Sequence, residues 1–180
     1  MNRAELLKRK IKVYLKKGRL LKNQEYAGLE KPFSAKARKN FTVANLLFRI
    51  SEQEELKSSL ALAFGFEMYD WVIVVSYYSM YTAALAALAK IGFKSKSHAA
   101  TIAVLEYHYV QNMKSLEAQH LQKLTRAYAV SEELITKLMQ TKTKRETAQY
   151  DATPLISREN AKTSLDDAEE FITKVEEVLA

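Results

Sequence analysis

Three histidines, His98, His108 and His120, are the side chains of this sequence whose ordinary pKa lies near enough to neutrality to shuttle a proton. No two of them stand three or four residues apart, so no helix face offers a pair of imidazoles to a metal. Glu117 and His120 make one Glu-x-x-His step of the kind used in di-iron bundles, but such a site takes two of these steps and two further inward glutamates. Cysteine is absent, which removes thiolate ligands, disulfides, Fe–S clusters and cysteine nucleophiles together. There is no glycine-rich phosphate loop, no His-Glu-x-x-His, no EF-hand loop and no Gly-x-Ser-x-Gly elbow. The expectation is a protein with no metal and no cofactor.

Two groupings still carry chemistry. Lys94, Lys96 and His98 flank Ser97 at the start of a helix, where free backbone N–H groups and the helix dipole favour an anion; a solvated loop is the plain alternative. Tyrosines are dense, with Tyr69, Trp71, Tyr77, Tyr78 and Tyr81 close together and Tyr107 and Tyr109 further on. Such rings can stack on the bases of a single strand, and at helical spacing they can equally pack a core. The paired acids Asp166-Asp167, Glu169-Glu170 and Glu176-Glu177 read as a solvated face, because a catalytic pair needs one buried carboxyl.

Charge is distributed unevenly. Residues 1–50 hold 14 Lys and Arg against 3 Glu, whereas residues 151–180 hold 3 against 8 acids. Lys8, Arg9, Lys12, Lys16 and Arg19 make the first segment a surface for nucleic acid or an acidic partner. The acidic last helix, of the same chain or of a twin, is the competing partner.

The elements that must position these groups are helical. Only 4 Gly and 2 Pro in 180 residues leave too few turn residues for a sandwich or barrel. Asn2 and Glu5 form a capping box for a helix from Ala4 to Leu21, weakened at Gly18. Ser34 reads as the cap of a second helix over Ala35 to Ser51, with an extension toward Phe64. A third, from Tyr69 to Ile91, is apolar nearly all round and stops at Gly92; its hydroxyl-bearing middle and its mixture of aromatics with alanine make it a core helix rather than a membrane span. A fourth runs from His98 to Tyr109. A weaker stretch from Met113 to Val130 precedes a restart at Ser131 that continues to Tyr150. Ser157 caps the last helix, with Ala161, Leu165, Ala168, Ile172, Val175 and Leu179 on one stripe. The division expected is a basic helical extension and linker over 1–33 and a bundle over 34–180. The amino terminus lacks an apolar signal segment, so a cytoplasmic location is expected.

The stretch Tyr69 to Val110 resembles the HEPN family (higher eukaryotes and prokaryotes nucleotide-binding), in particular its small prokaryotic branch. The residues that carry this are Tyr69-Asp70-Trp71, the run Ser76-Tyr77-Tyr78-Ser79-Met80-Tyr81, Ile91-Gly92 and Ser95-Lys96-Ser97-His98. The closing segment is similar as well, with Arg145, Gln149-Tyr150 and Ser157-Arg158-Glu159-Asn160-Ala161. The resemblance implies an all-α, up-and-down bundle with a four-helix core and extra helices. It further implies a homodimer, often working beside a nucleotidyltransferase partner in a toxin–antitoxin pair. Active members cut RNA without a metal, using a pattern that reads Arg-x-Tyr-Tyr-x-Met-aromatic-His. Val75 stands at the arginine position and Thr82 at the histidine position of that pattern.

Metal-free cleavage of RNA needs a proton shuttle and a cation for the phosphorane charge, and Val75 and Thr82 supply neither. The leading expectation is therefore a non-catalytic protein that binds RNA, a nucleotide or a partner protein. Its binding candidates are Lys94, Lys96, His98, Tyr78, Tyr81 and Arg145, with the basic helix beside them. One alternative is an RNase in which His98 takes over the missing role. Another is a pure protein-interaction module. No membrane contact is expected.

Overall fold

The computed structural model describes residues 2–145 and 156–180, and the side chains of all of these but 137–145. The fold is all-α. In chain order it comprises α1 (Arg3–Lys16), a short strand β1 (Leu20–Lys22), a 3₁₀ turn over Gln24–Leu29, α2 (Glu30–Glu52) and α3 (Glu54–Ser59). There follow α4 (Tyr69–Lys90), β2 (Phe93–Ser95), α5 (His98–Leu105), a π-helical segment over Glu106–Asn112, α6 (Ala118–Arg145) and α7 (Arg158–Leu179).

α4 is the centre. Val72, Ile73, Met80, Leu88 and the alanines Ala84, Ala86, Ala87 and Ala89 are all 0–1% exposed, and α2, α6 and α7 pack around them. The alanine-rich second half lets neighbouring helices come close, since interaxial distance follows side-chain size at the contact. α4 is long and apolar enough to cross a membrane by composition, and 78% of its most apolar window is buried inside the fold, as for a core helix. From α7 the stripe Ala161, Leu165, Ala168, Ile172, Val175 and Leu179 docks as the periodicity predicts, joined by fully buried Phe171. Tyr109, in the π-helical segment, donates its hydroxyl to the Ala87 carbonyl at 2.7 Å, and burial pushes that phenol up to about 12.

Several local expectations are corrected. The first helix does not reach Leu21: Gly18, at φ 65°, ends it, with its N–H donating to Leu15 O. Leu20–Lys22 then pairs antiparallel with Phe93–Ser95, which the sequence suggests only as a loop. α2 starts at Glu30, so Ser34 is an interior residue; Pro32 sits in the first turn, where a missing N–H has no partner to lose. The helix ends at Glu52 and α3 follows, so there is no continuous helix to Phe64. α6 passes straight through Ser131, which is fully buried and does not restart a helix. The asparagine cap and reciprocal Glu5 contact of α1, and the Ser97 and Ser157 caps, are as expected.

The turn after α4 is a point of close approach. Gly92 has φ 77°, and a Cβ there would lie 3.3 Å from the Asn23 carbonyl oxygen and 3.3 Å from Gln24 Oε1. Gly18 shares the positive φ but has open space around it. Gly18→Ala is expected to lose about 1–2 kcal/mol for its positive φ alone, and Gly92→Ala more, because its Cβ also crowds Asn23 and Gln24. Thermal melts of the two variants, compared with the parent, check the order; an equal loss would mean that the contact with Asn23 is not limiting.

Candidate nucleic-acid interface

α4, the start of α5 and the middle of α6 bring one imidazole and several phenols together. The His98 ring stacks on Tyr128 at 4.0 Å between centroids and 14° between planes, and on Tyr81 at 6.0 Å and 25°. Tyr77 stacks on Tyr81 at 5.8 Å and tilts against His98, Tyr78 and Tyr128, all within 6.2 Å. Tyr128 closes the cluster by donating its hydroxyl to Glu132 Oε1 at 2.7 Å. Helical spacing explains the arrangement: Tyr77 and Tyr81 are one turn apart on α4, as Tyr128 and Glu132 are on α6.

His98 is turned inward. Neither Nδ1 nor Nε2 meets water or a hydrogen-bond partner among the described residues. Burial lowers its pKa to about 4, against the opposing pull of Glu132, so the ring is neutral at physiological pH. Burial also raises the Tyr77 phenol, and the neighbouring tyrosines and Glu132 push it further in the same direction.

The three residues expected to form an anion site therefore do not converge. Lys94 is exposed on β2 and lies 5.8 Å over the Tyr26 ring, Lys96 is exposed with its backbone N–H on Arg19 O, and His98 faces the tyrosines. Tyr78 and Tyr81 do belong to one patch with His98, and Tyr78 is 44% exposed. Arg145 is the last residue of α6; its side chain, like Gln149-Tyr150, lies outside the described residues. Tyr128 was legible only as part of an apolar stripe, since nothing in its spacing shows that α6 crosses α4 at Tyr77.

The two motif positions are spent on packing. Thr82 is buried and donates its hydroxyl to the Tyr78 carbonyl at 2.7 Å, and Val75 packs half-buried against the core. The Glu117 N–H donates to His120 Nδ1 at 3.1 Å as α6 begins, and His120 Nε2 lies 3.6 Å from Glu170 of α7. Among the described residues no group of three or more His, Asp or Glu side chains is placed to hold a metal ion.

The basic first helix is a separate surface. Leu7 and Ile11 bury one side of α1 against α5 and the π-helical segment. Lys8, Arg9, Lys12 and Lys16 fall within about 100° of the helix circumference and are exposed, as is Arg19 in the following turn. None of these five forms an ion pair among the described residues. The acidic last helix is engaged elsewhere: Glu176 pairs with Arg38, Glu170 with Lys123 at 2.6 Å, and Asp167 with Lys123 and Arg126. A family model described as HEPN domain matches residues 44–178. No curated protein matches the chain.

Proposed function

The chain belongs to the HEPN domain family, and from that premise we propose that it is a non-catalytic member which binds RNA through the exposed basic arc of α1, with Tyr78 and Tyr81 offering a stacking platform on a second surface. The observation that carries this reading is the exposed cationic arc Lys8, Arg9, Lys12 and Lys16, which has no carboxylate partner among the described residues, while Glu176, Glu170 and Asp167 of α7 are engaged by α2 and α6. A non-sequence-specific phosphate contact needs such a row of solvated cations. The extension over 1–33 thus supplies the contact, and the bundle over 34–180 holds it in place.

Absence of catalysis is supported by what fills the motif. Val75 has no charge to offer a pentavalent phosphorus, Thr82 Oγ1 is committed to the Tyr78 carbonyl, and the imidazole of His98 is neutral with both nitrogens buried. We further propose that two copies associate and that a nucleotidyltransferase is a partner in a cytoplasmic toxin–antitoxin pair. Exposed apolar side chains support association: Phe64 is 91% exposed, with Leu60 and Trp71 also open.

The test is binding and cleavage of a labelled mixed RNA by the full chain, over a range of salt, with and without EDTA. Binding that weakens steeply with salt, with the RNA left intact, is the expected result. Metal-independent cleavage that disappears in His98→Ala would replace this reading with an RNase. No RNA binding together with salt-sensitive protein association would make it an interaction module.

A further inference from the structure

Away from the tyrosine cluster, an open cavity of about 500 Å³ lies between the start of α1, the helix formed by α5 and the π-helical segment, and the first half of α6. Its floor is apolar, made by Ile102, Val110, Leu121, Ala118 and Ala129. That volume is within the range of roughly 300–1,000 Å³ typical of small-molecule sites, and the lining has the same character, apolar with a few polar groups at the edge. Among the described residues no large side chain fills it, so its apolar floor stays in contact with water, an unfavourable state that a ligand would relieve.

Two features give the cavity its form. The wall carrying Glu106, Val110 and Gln111 is the π-helical segment Glu106–Asn112, a widened turn that is rare in helices and frequent at functional sites. At the mouth Arg3 donates from Nε and Nη2 to both oxygens of Glu106, at 2.6 and 2.8 Å, tying the first turn of α1 to the first turn of that segment. This forked pair spans 103 residues of sequence and fixes one edge.

The rim also specifies charge. Arg3 is matched by Glu106, and Arg126 by Asp167. An anionic head group would have to compete with one of these carboxylates and a cationic one with a guanidinium, whereas an uncharged molecule leaves both pairs whole. The exposed amides of Gln111 and Gln122 remain to meet a carbonyl or hydroxyl. We propose that this cavity is a binding site for an uncharged, mainly apolar small molecule carrying one or two hydrogen-bonding groups. The site is independent of the RNA surface proposed above.

The experiment titrates the full chain with phenylnaphthylamine, an uncharged apolar probe whose fluorescence rises on burial, and with its anionic sulfonate relative, both at high salt. Ala129→Trp and Ala118→Trp place an indole from exposed positions into the cavity, and thermal melts confirm that each variant is folded. One saturable site per chain for the neutral probe, weakened by at least roughly tenfold in a folded filling variant, is the expected result. Binding unchanged in both variants would place the probe on the open surface around Trp71 and overturn the proposal. Absence of saturable binding, or binding of the anionic probe alone, would also overturn it.

Discussion

Replacing Lys8, Arg9, Lys12 and Lys16 together by Glu is expected to abolish RNA binding at physiological salt while the chain stays folded. All four side chains are solvated, and the residues that anchor α1, Leu7 and Ile11, lie on its other side. No described carboxylate loses a partner, so the stability change is confined to helix propensity and the dipole at Lys16, a few tenths of a kcal/mol each. The binding effect is larger by kind. Each phosphate neutralised on a single strand contributes about 0.7 to the slope of log K against log salt, so losing four contacts should flatten that slope by about 3. A four-fold Gln variant should flatten it equally without the repulsion that Glu adds. An unaltered slope in a folded variant would remove α1 from the interface and with it the basis of the RNA reading.

The sequence makes the helices legible wherever one period and one terminal signal agree. The reciprocal Asn2 and Glu5 contact, the stop at Gly92, the Ser97 and Ser157 caps and the stripe from Ala161 to Leu179 each rest on interactions within a few residues, which spacing records. What escapes is whatever needs a distant partner. Leu20–Lys22 becomes a strand only because Phe93–Ser95 lies beside it, and the pairing joins segments more than 70 residues apart. Ser131 carries the local signature of a cap, yet tertiary burial carries α6 through it. The same division holds at the site. That Val75 and Thr82 lack the groups for cleavage follows from residue type alone. That His98 is sealed between Tyr81 and Tyr128 depends on α6 crossing α4, and no local spacing contains that fact.

Acid should destabilise this protein through His98, and His98→Phe should remove that part of the response. In the folded chain both ring nitrogens are buried and the pKa lies at about 4, against 6.5 when the chain is unfolded. As pH falls below 6.5 the unfolded chain takes up a proton that the native one refuses, so stability falls through that window and levels off near 4; above neutrality the residue has no effect. A shift of this size corresponds to an upper bound of roughly 3 kcal/mol between pH 7 and pH 4, reduced by solvent screening of the half-buried ring to about 1–2 kcal/mol, a drop in Tm of about 5 °C. Phenylalanine keeps the stack on Tyr128 and carries no proton. His108, also held below its usual value by burial and by Lys22, is present in both chains, as are Glu52 and Glu170, whose carboxyls are lowered mainly by hydrogen bonds from Tyr69 and from Lys123. The difference between the two Tm–pH curves therefore isolates His98, and parallel curves would mean that the ring is hydrated. The result also bears on catalysis. An imidazole that resists protonation down to about pH 4 and has no nitrogen open to solvent does not exchange protons with a substrate unless the start of α5 moves, so a steep His98-dependent slope and His98-dependent RNA cleavage should not occur in the same resting structure.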